Sequence, residues 1–304
     1  MMNNGTEQDL RVYLNLENDC GSYKLAQIAI LSKMGTNITT IVVTHIAKTG
    51  GVSTAMDISN LAYELQQANF GYPVLSLSHR QQCHASGMHS HPGAIGVVFL
   101  RETRAHCRSQ FFECRNTSWG RRVSLTHRHG FPRTNDSMGD FSTWLAHFAR
   151  ISPTLVGPRA DFNCLDPRNM ATRQLSCNLT AQQERTLAAG NDATNHALST
   201  PPSLARAIGV VETVDFLGIT EFYEASWCML AYRLTGRIRR GCACDERTLM
   251  KSSHYTHGLA ATADANYAEF APTIDRLTRL DAQLYKVGLG RFLRDVAAFE
   301  TRHN

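Results

Sequence analysis

The hydrophobic positions of the 304-residue chain switch repeatedly between two periods. Short apolar runs rich in β-branched residues, "TIVVTH" (40–45), "PVLSLS" (73–78), "AIGVVFL" (94–100) and "VVETVDFLGI" (210–219), read as buried strands bounded by turn residues. Between them the spacing widens to that of helices. After Gly50-Gly51, Ile58, Leu61, Ala62 and Leu65 fall on one face, with Ser53 and Thr54 in the first turn. A helical pattern runs from Thr103 to about Cys114, another from Phe141 to Phe148 that ends near Pro153, and the stretch 180–206 reads as helices. Thr220 is expected to cap a helix on which Tyr223, Trp227, Leu230 and Leu234 align. A last helix from about Pro272 carries Ile274, Leu277, Leu280, Leu284, Phe292, Val296 and Phe299 on its apolar stripe. The stretch 115–140 lacks periodicity and reads as one long loop. Strands alternating with helices predict an α/β fold, a mostly parallel central sheet flanked by helices, in one domain over 39–304. Residues 1–38 are polar and irregular, with a short strand around "VYLNL" and a helix over 22–33, and form an extension packed on or beside it.

Composition narrows the partners. The chain is 43% hydrophobic and 19% charged, with 31 Lys and Arg against 26 Asp and Glu, a formal net charge of +5. This mild excess suits a basic cleft for an anionic ligand better than a nucleic-acid surface. The densest basic cluster, "RIRR" at 237–240, reads as a solvated face. Nine cysteines are scattered without a Cys-x-x-Cys or a zinc spacing, so free, mostly buried thiols in a reducing compartment are expected. The apolar stretch "LAQIAIL" (25–31) is too short to span a bilayer and lacks the flanks of a cleavable signal. The reading is therefore a cytoplasmic protein with no membrane partner. In that compartment the five Asn-x-Ser/Thr triplets (Asn4, Asn37, Asn116, Asn135, Asn178) are chance occurrences.

The candidate chemistry begins where the first strand ends. "THIAKTGGVST" (44–54) joins strand to helix through a glycine-rich turn, which offers backbone N–H donors at the positive end of the helix dipole. Lys48 adds a mobile charge, and Thr49, Ser53 and Thr54 add hydroxyls. The lysine precedes the glycines, so this is not G-x-x-x-x-G-K-[ST], and no G-x-G-x-x-G is present here. By composition alone, an ordinary strand-to-helix turn with a surface lysine fits as well as a phosphate loop.

The loop resembles the "HIPKTGGTS" segment of sulfotransferases that use 3′-phosphoadenosine 5′-phosphosulfate (PAPS), especially the heparan 2-O-sulfotransferase-like and bacterial carbohydrate-type families. "VVFLRETRAHCRSQFF" (97–112) is similar to their second motif, a strand followed by "RDPVxRxxSxY". The resemblance extends over roughly 40–295, through "DPRNMATRQLS" (166–176), "VDFLGITEFYEASWCMLAYRL" (214–234) and "LDAQLYKVGLGRF" (280–292). It implies a P-loop-like sulfotransferase fold and a site in which Lys48, Thr49, Gly50, Gly51, Val52, Ser53 and Thr54 surround the 5′-phosphosulfate. It also implies that Arg101 and Ser109 hold the 3′-phosphate, that Lys48 neutralises the leaving bridging oxygen, and that His79 in "LSLSHR" is the general base, with no metal required. His84, His89 and His91 follow closely and compete for the base role. The chain departs from the pattern at Ala47 (usually Pro), Val52 (usually Thr), Glu102-Thr103 (usually Asp-Pro), His106 (usually Arg) and Cys177 (usually Gly). Arg104 or Arg108 is positioned to compensate for His106. Arg173, Lys251 and His254 are further candidates for the cofactor site, and Arg173 serves equally well in a structural ion pair.

The expected activity is transfer of the sulfuryl group from PAPS, which leaves as 3′-phosphoadenosine 5′-phosphate (PAP), to a hydroxyl or amine of a small polar acceptor. Two alternatives stay open: a glycan O-sulfotransferase, and a non-catalytic binder of PAP or another nucleotide. A nucleotide kinase would need a Walker-type loop and Mg²⁺ ligands that the sequence does not offer.

Overall fold

Residues 40–44, 46–67, 74–77, 84, 94–124, 130–152, 162, 164–177, 201–236, 238, 242 and 264–303 are described by the computed structural model. The β-branched runs become strands β1 (Thr40–Thr44), β2 (Val74–Leu77), β3 (Ile95–Leu100) and β4 (Phe216–Ile219). All three pairings are parallel, in the order β2-β1-β3-β4. A parallel sheet hides both faces, which explains why these strands are apolar throughout rather than alternating. Ile41, Val43, Val97, Phe99 and Phe216 pack to one side, against Ile58 and Leu61 of helix α1 (Gly51–Gln67). Val98, Leu100, Leu217 and Ile219 pack to the other, within the larger core.

The order of strands has a consequence for function. From β1 the chain moves outward to β2, then crosses back to place β3 on the opposite side of β1. The direction of winding therefore reverses between β1 and β3. In open parallel sheets, a crevice forms at the carboxyl ends of the strands at such a reversal, and ligands bind there. Residues 46–50 leave β1 at this crevice, and Arg101 leaves β3 at the same place.

Helix α2 (Thr103–Asn116) follows β3 and is started by Glu102, whose carboxylate accepts from Arg104 N and Ala105 N. It buries Cys107, Phe111 and Cys114 in the larger core. Phe111 lies within 5.0 Å of Phe141 and 5.7 Å of both Phe131 and Trp144, ring centre to ring centre. Two of these partners belong to α4 (Ser137–Arg150), which Asp136 caps through Met138 N and Gly139 N.

The expected long loop at 115–140 is broken by α3 (Ser118–Ser124) and by the start of α4. The Thr117 hydroxyl accepts from Gly120 N, and Arg133 donates to Cys114 O, Gly120 O and Ser124 Oγ. These side-chain bonds supply order where no apolar period exists. Gly120 is required because a Cβ there would collide with Glu113 O and Cys114 Cα.

Three other expectations change. The strand predicted over 210–219 is only 216–219, because Leu204–Thr213 forms α6, capped by Ser203. Thr220 opens a 3₁₀ turn (Thr220–Phe222) rather than capping α7 (Tyr223–Thr235), and its hydroxyl donates to Thr49 O and Leu100 O. The last helix is two, α8 (Ala271–Leu277) and α9 (Arg279–His303), after a further 3₁₀ segment (Asp264–Phe270). The break is fixed by reciprocal caps. Asn169 Oδ1 accepts from Leu280 N, while the Asp281 carboxylate accepts from Ala171 N and Thr172 N at the start of α5 (Met170–Ser176).

The cysteines are a correction. Cys114 is joined to Cys164 and Cys228 to Cys242, with Cα atoms 5.9 and 5.5 Å apart, and Cys177 is also disulfide-bonded. Cys107 is the free thiol among the described residues. The partners lie 50 and 14 residues apart in sequence, on elements whose proximity only the fold creates. By loop-closure entropy the two bonds stabilise the fold by about 4 and about 3 kcal/mol. No helix among the described residues is long and apolar enough to cross a membrane. The segment 1–38 lies outside the described residues.

Alkylation of the denatured, unreduced protein should label Cys107 and leave Cys114, Cys164, Cys177, Cys228 and Cys242 unlabelled until reduction. Peptide mapping by mass spectrometry checks this, and full labelling before reduction would contradict it.

Candidate functional site

The loop after β1 is built by its carbonyl groups. Ile46 O accepts from Thr49 N and Thr49 Oγ1, at 3.3 and 2.9 Å. Ala47 O meets His106 Nε2 at 2.7 Å, Lys48 O accepts from Arg101 Nη1 at 3.1 Å, and Thr49 O accepts from Thr220 Oγ1 at 2.8 Å. Gly50 O accepts from Thr54 N and Thr54 Oγ1. Five consecutive carbonyls are thus turned into the protein. The N–H groups of Lys48, Gly50, Gly51, Val52 and Ser53 meet no acceptor among the described residues, whereas those of Ile46 and Thr49 are spent on Thr44 O and Ile46 O. Lys48 (φ 69°) and Gly50 (φ 84°) adopt left-handed backbone conformations, the kind of turn that in general can gather successive N–H groups toward an anion. A lysine held at positive φ costs roughly 1–2 kcal/mol, and such strain collects at functional sites.

Helix α2 supplies the other wall. His106, Ser109, Gln110 and Glu113 lie at helical spacing on the face that meets the loop. His106 holds Ala47 O, and Glu113 Oε2 accepts from Lys48 Nζ at 2.8 Å, both partners being only 13% exposed. Ser109 lies about 60° around the helix from His106, is buried, and its hydroxyl has no hydrogen-bond partner among the described residues.

Arg101 completes the group. One nitrogen holds Lys48 O, whereas Nε is buried without a hydrogen bond, and the Glu221 carboxylate stands 3.9 Å away. Glu221 is itself held by Glu102 N and Tyr285 Oη. The cations crowd one another. Burial lowers the pKa of Lys48, which Glu113 opposes and Arg101 reinforces. Burial also works against charge on Arg101, with Glu221 opposing and Arg108 reinforcing. The His106 imidazole is pushed down to about 4 by burial and by the charges of Arg101 and Lys48, against its bond to Ala47 O. It therefore stays neutral at physiological pH and serves as a fixed donor. A lysine and an arginine beside N–H groups without acceptors form a site chemically suited to an anion.

The structure brings together Lys48, Thr49, Gly50, Gly51, Ser53, Thr54 and Arg101 of the sequence-predicted set, and Ser109 is buried on α2. The hydroxyls of Thr49 and Thr54 are spent on loop carbonyls and so shape the loop. Val52 N has no acceptor among the described residues. His79 lies outside the described residues, as do His89, His91, Lys251 and His254. His84 is described, with Nδ1 2.8 Å from Thr44 Oγ1 at the carboxyl end of β1. Arg104 pairs with Asp275 instead of facing the loop, and Arg108 lies 5.4 Å over the Tyr267 ring. Arg173 donates to Arg168 O and lines a cavity of about 340 Å³ with Arg168 and Arg276, whose lining includes none of the loop residues.

Four residues around the loop were not assigned these contacts from the sequence. His106 and Thr220 hold the loop, Glu113 holds the lysine, and Tyr223 lies 3.7 Å from where a Gly50 Cβ would be. The spacing of His106 and Glu113, two turns apart, was the available signal. Among the described residues no group of three or more His, Cys, Asp and Glu could hold a metal. No family model matches the chain, and no curated protein matches it in sequence.

Neutral His106 gives a pH dependence. Its folded pKa lies below the unfolded value of 6.5, so its stabilising contribution is complete above 6.5 and is lost as pH falls toward 4. The full loss is on the order of 3 kcal/mol. Asp281, raised to about 6 by burial, acts in the opposite sense over a similar window. The test is therefore the difference between wild type and His106→Gln in denaturant melts from pH 7 to 4. The variant should lose less stability on acidification, and parallel curves would contradict the role.

Proposed function

We propose that this chain is a PAPS-dependent sulfotransferase with the P-loop-like fold of that group. The observation that carries the reading is the loop at 46–50, with five carbonyls tied inward at the winding reversal between β1 and β3, beside Lys48 and Arg101. The residues fit the donor. The N–H groups of 48 and 50–53 would receive the 5′-phosphate, and the unspent Nε edge of Arg101 with the Ser109 hydroxyl would receive the 3′-phosphate.

In this reading the acceptor oxygen or nitrogen forms a bond to sulfur as the bond from sulfur to the bridging oxygen breaks. Lys48 neutralises the charge released on PAP, and an imidazole takes the acceptor's proton. His79 holds that role by sequence resemblance, and His84 is the described histidine at the carboxyl end of β1.

The disulfides favour the glycan alternative for the acceptor. Such crosslinks persist in oxidising compartments, where glycan hydroxyls are abundant, rather than in the cytoplasm.

The test is transfer from ³⁵S-labelled PAPS to pooled glycans and small hydroxylated or amine-bearing metabolites, alongside PAP binding by calorimetry. Lys48→Ala should lower turnover by about 10²-fold or more. Arg101→Ala should weaken PAP by more than it weakens adenosine 5′-phosphosulfate. Absence of PAP binding overturns the reading; PAP binding without transfer to any acceptor favours the non-catalytic binder.

A further inference from the structure

The lysine that would face the donor is already occupied. Lys48 Nζ donates to Glu113 Oε2 at 2.8 Å, and each side chain is 13% exposed, so little water screens the pair. The two partners have unequal freedom. Glu113 sits in the third turn of α2, a helix fixed by Cys107, Phe111 and the Cys114–Cys164 bond. The backbone of Lys48 is equally fixed, since its carbonyl is held by Arg101 and its neighbour's by His106. The mobile part is the lysine stem. Any anion seated on the N–H groups of 50–53 would compete for the ammonium with a carboxylate only one hydrogen bond from it.

Resting on the donor reading above, we propose that Glu113 is the internal counter-ion that Lys48 exchanges for the 5′-phosphate of the donor, and that it recaptures the lysine as PAP departs. Glu113 is thus a positioning residue. It keeps the lysine charged and near the loop before the donor arrives, and it sets how tightly the site holds the spent nucleotide. Loading the site breaks this part-buried ion pair, a cost that a ligand with several compensating contacts can meet. A nucleotide with two phosphates, one on the loop and one on Arg101 and Ser109, has those contacts. Release reverses the exchange, so the pair that weakens binding also speeds departure.

Glu113→Gln keeps the size of the side chain and removes its charge. Calorimetry with PAP should show roughly tenfold or greater tightening, with stopped-flow dissociation slowed to match. Under steady-state conditions KM for PAPS should fall, and kcat should fall with it where PAP release limits turnover. A merely structural glutamate gives the opposite pattern, with lower melting temperature and PAP binding unchanged or weaker. Glu113→Asp, which widens the gap to Lys48 but keeps the charge, should fall between wild type and Gln, and it serves if the Gln variant does not fold. Wild type and Glu113→Gln binding PAP equally would overturn the exchange and leave the donor reading intact. Failure of both to bind PAP would overturn the donor reading and this proposal together.

Discussion

Everything in the site follows from the inward anchoring of the 46–50 carbonyls. A loop at the end of a buried strand has polar groups on both edges, and burying either without a partner costs a few kcal/mol per group. Here each carbonyl from Ile46 to Gly50 has a donor, and the donors come from five places: the loop itself, α1, α2, the end of β3 and the turn after β4. Thr49 N closes on Ile46 O, and the N–H groups of Lys48 and of Gly50 to Ser53 are left without an acceptor among the described residues. The bond from Arg101 to Lys48 O holds that guanidinium beside the same loop. Thr220 ties the arrangement to the sheet by bonding Thr49 O and Leu100 O at once, which spans the reversal between β1 and β3.

Helix α2 divides its faces between stability and site. Cys107, Phe111 and Cys114 belong to the core, and the disulfide from Cys114 pins the helix end to Cys164. His106 and Glu113 face the loop. A packed helix held at both ends can present a charged residue at fixed distance from the lysine, and a mobile one could not. The electrostatics are left incomplete by design of the fold: Lys48 is balanced by Glu113 and Arg101 by a carboxylate 3.9 Å away, beyond hydrogen-bond reach. The cations therefore retain capacity for a ligand that brings more negative charge than these carboxylates supply.

The sequence made the central strands readable because a parallel sheet buries both faces, and β1, β2 and β3 were found to within a residue or two. The glycine-rich turn and Arg101 were also legible, since both follow directly on those strands. The failures have physical causes. "VVETV" is β-branched enough to suggest a strand, yet Ser203 caps it as a helix, and Ala207 and Val211 are one turn apart on its buried side. The order within 115–140 comes from Arg133 and Thr117 bonding backbone, which leaves no hydrophobic period to detect. Disulfide pairing across 50 residues depends on tertiary proximity, as do the long-range bonds of His106, Thr220 and Glu113.

The central claim is that the N–H groups of the loop form the anion site, and it can be read amide by amide. In ¹⁵N–¹H spectra of the uniformly deuterated protein, titration with PAP should move the amide protons of Lys48, Gly50, Gly51, Val52 and Ser53 downfield, saturating together with one dissociation constant. Unchanged loop amides would contradict the account, most directly if the shifts appeared instead around Arg168, Arg173 and Arg276 at the separate cavity.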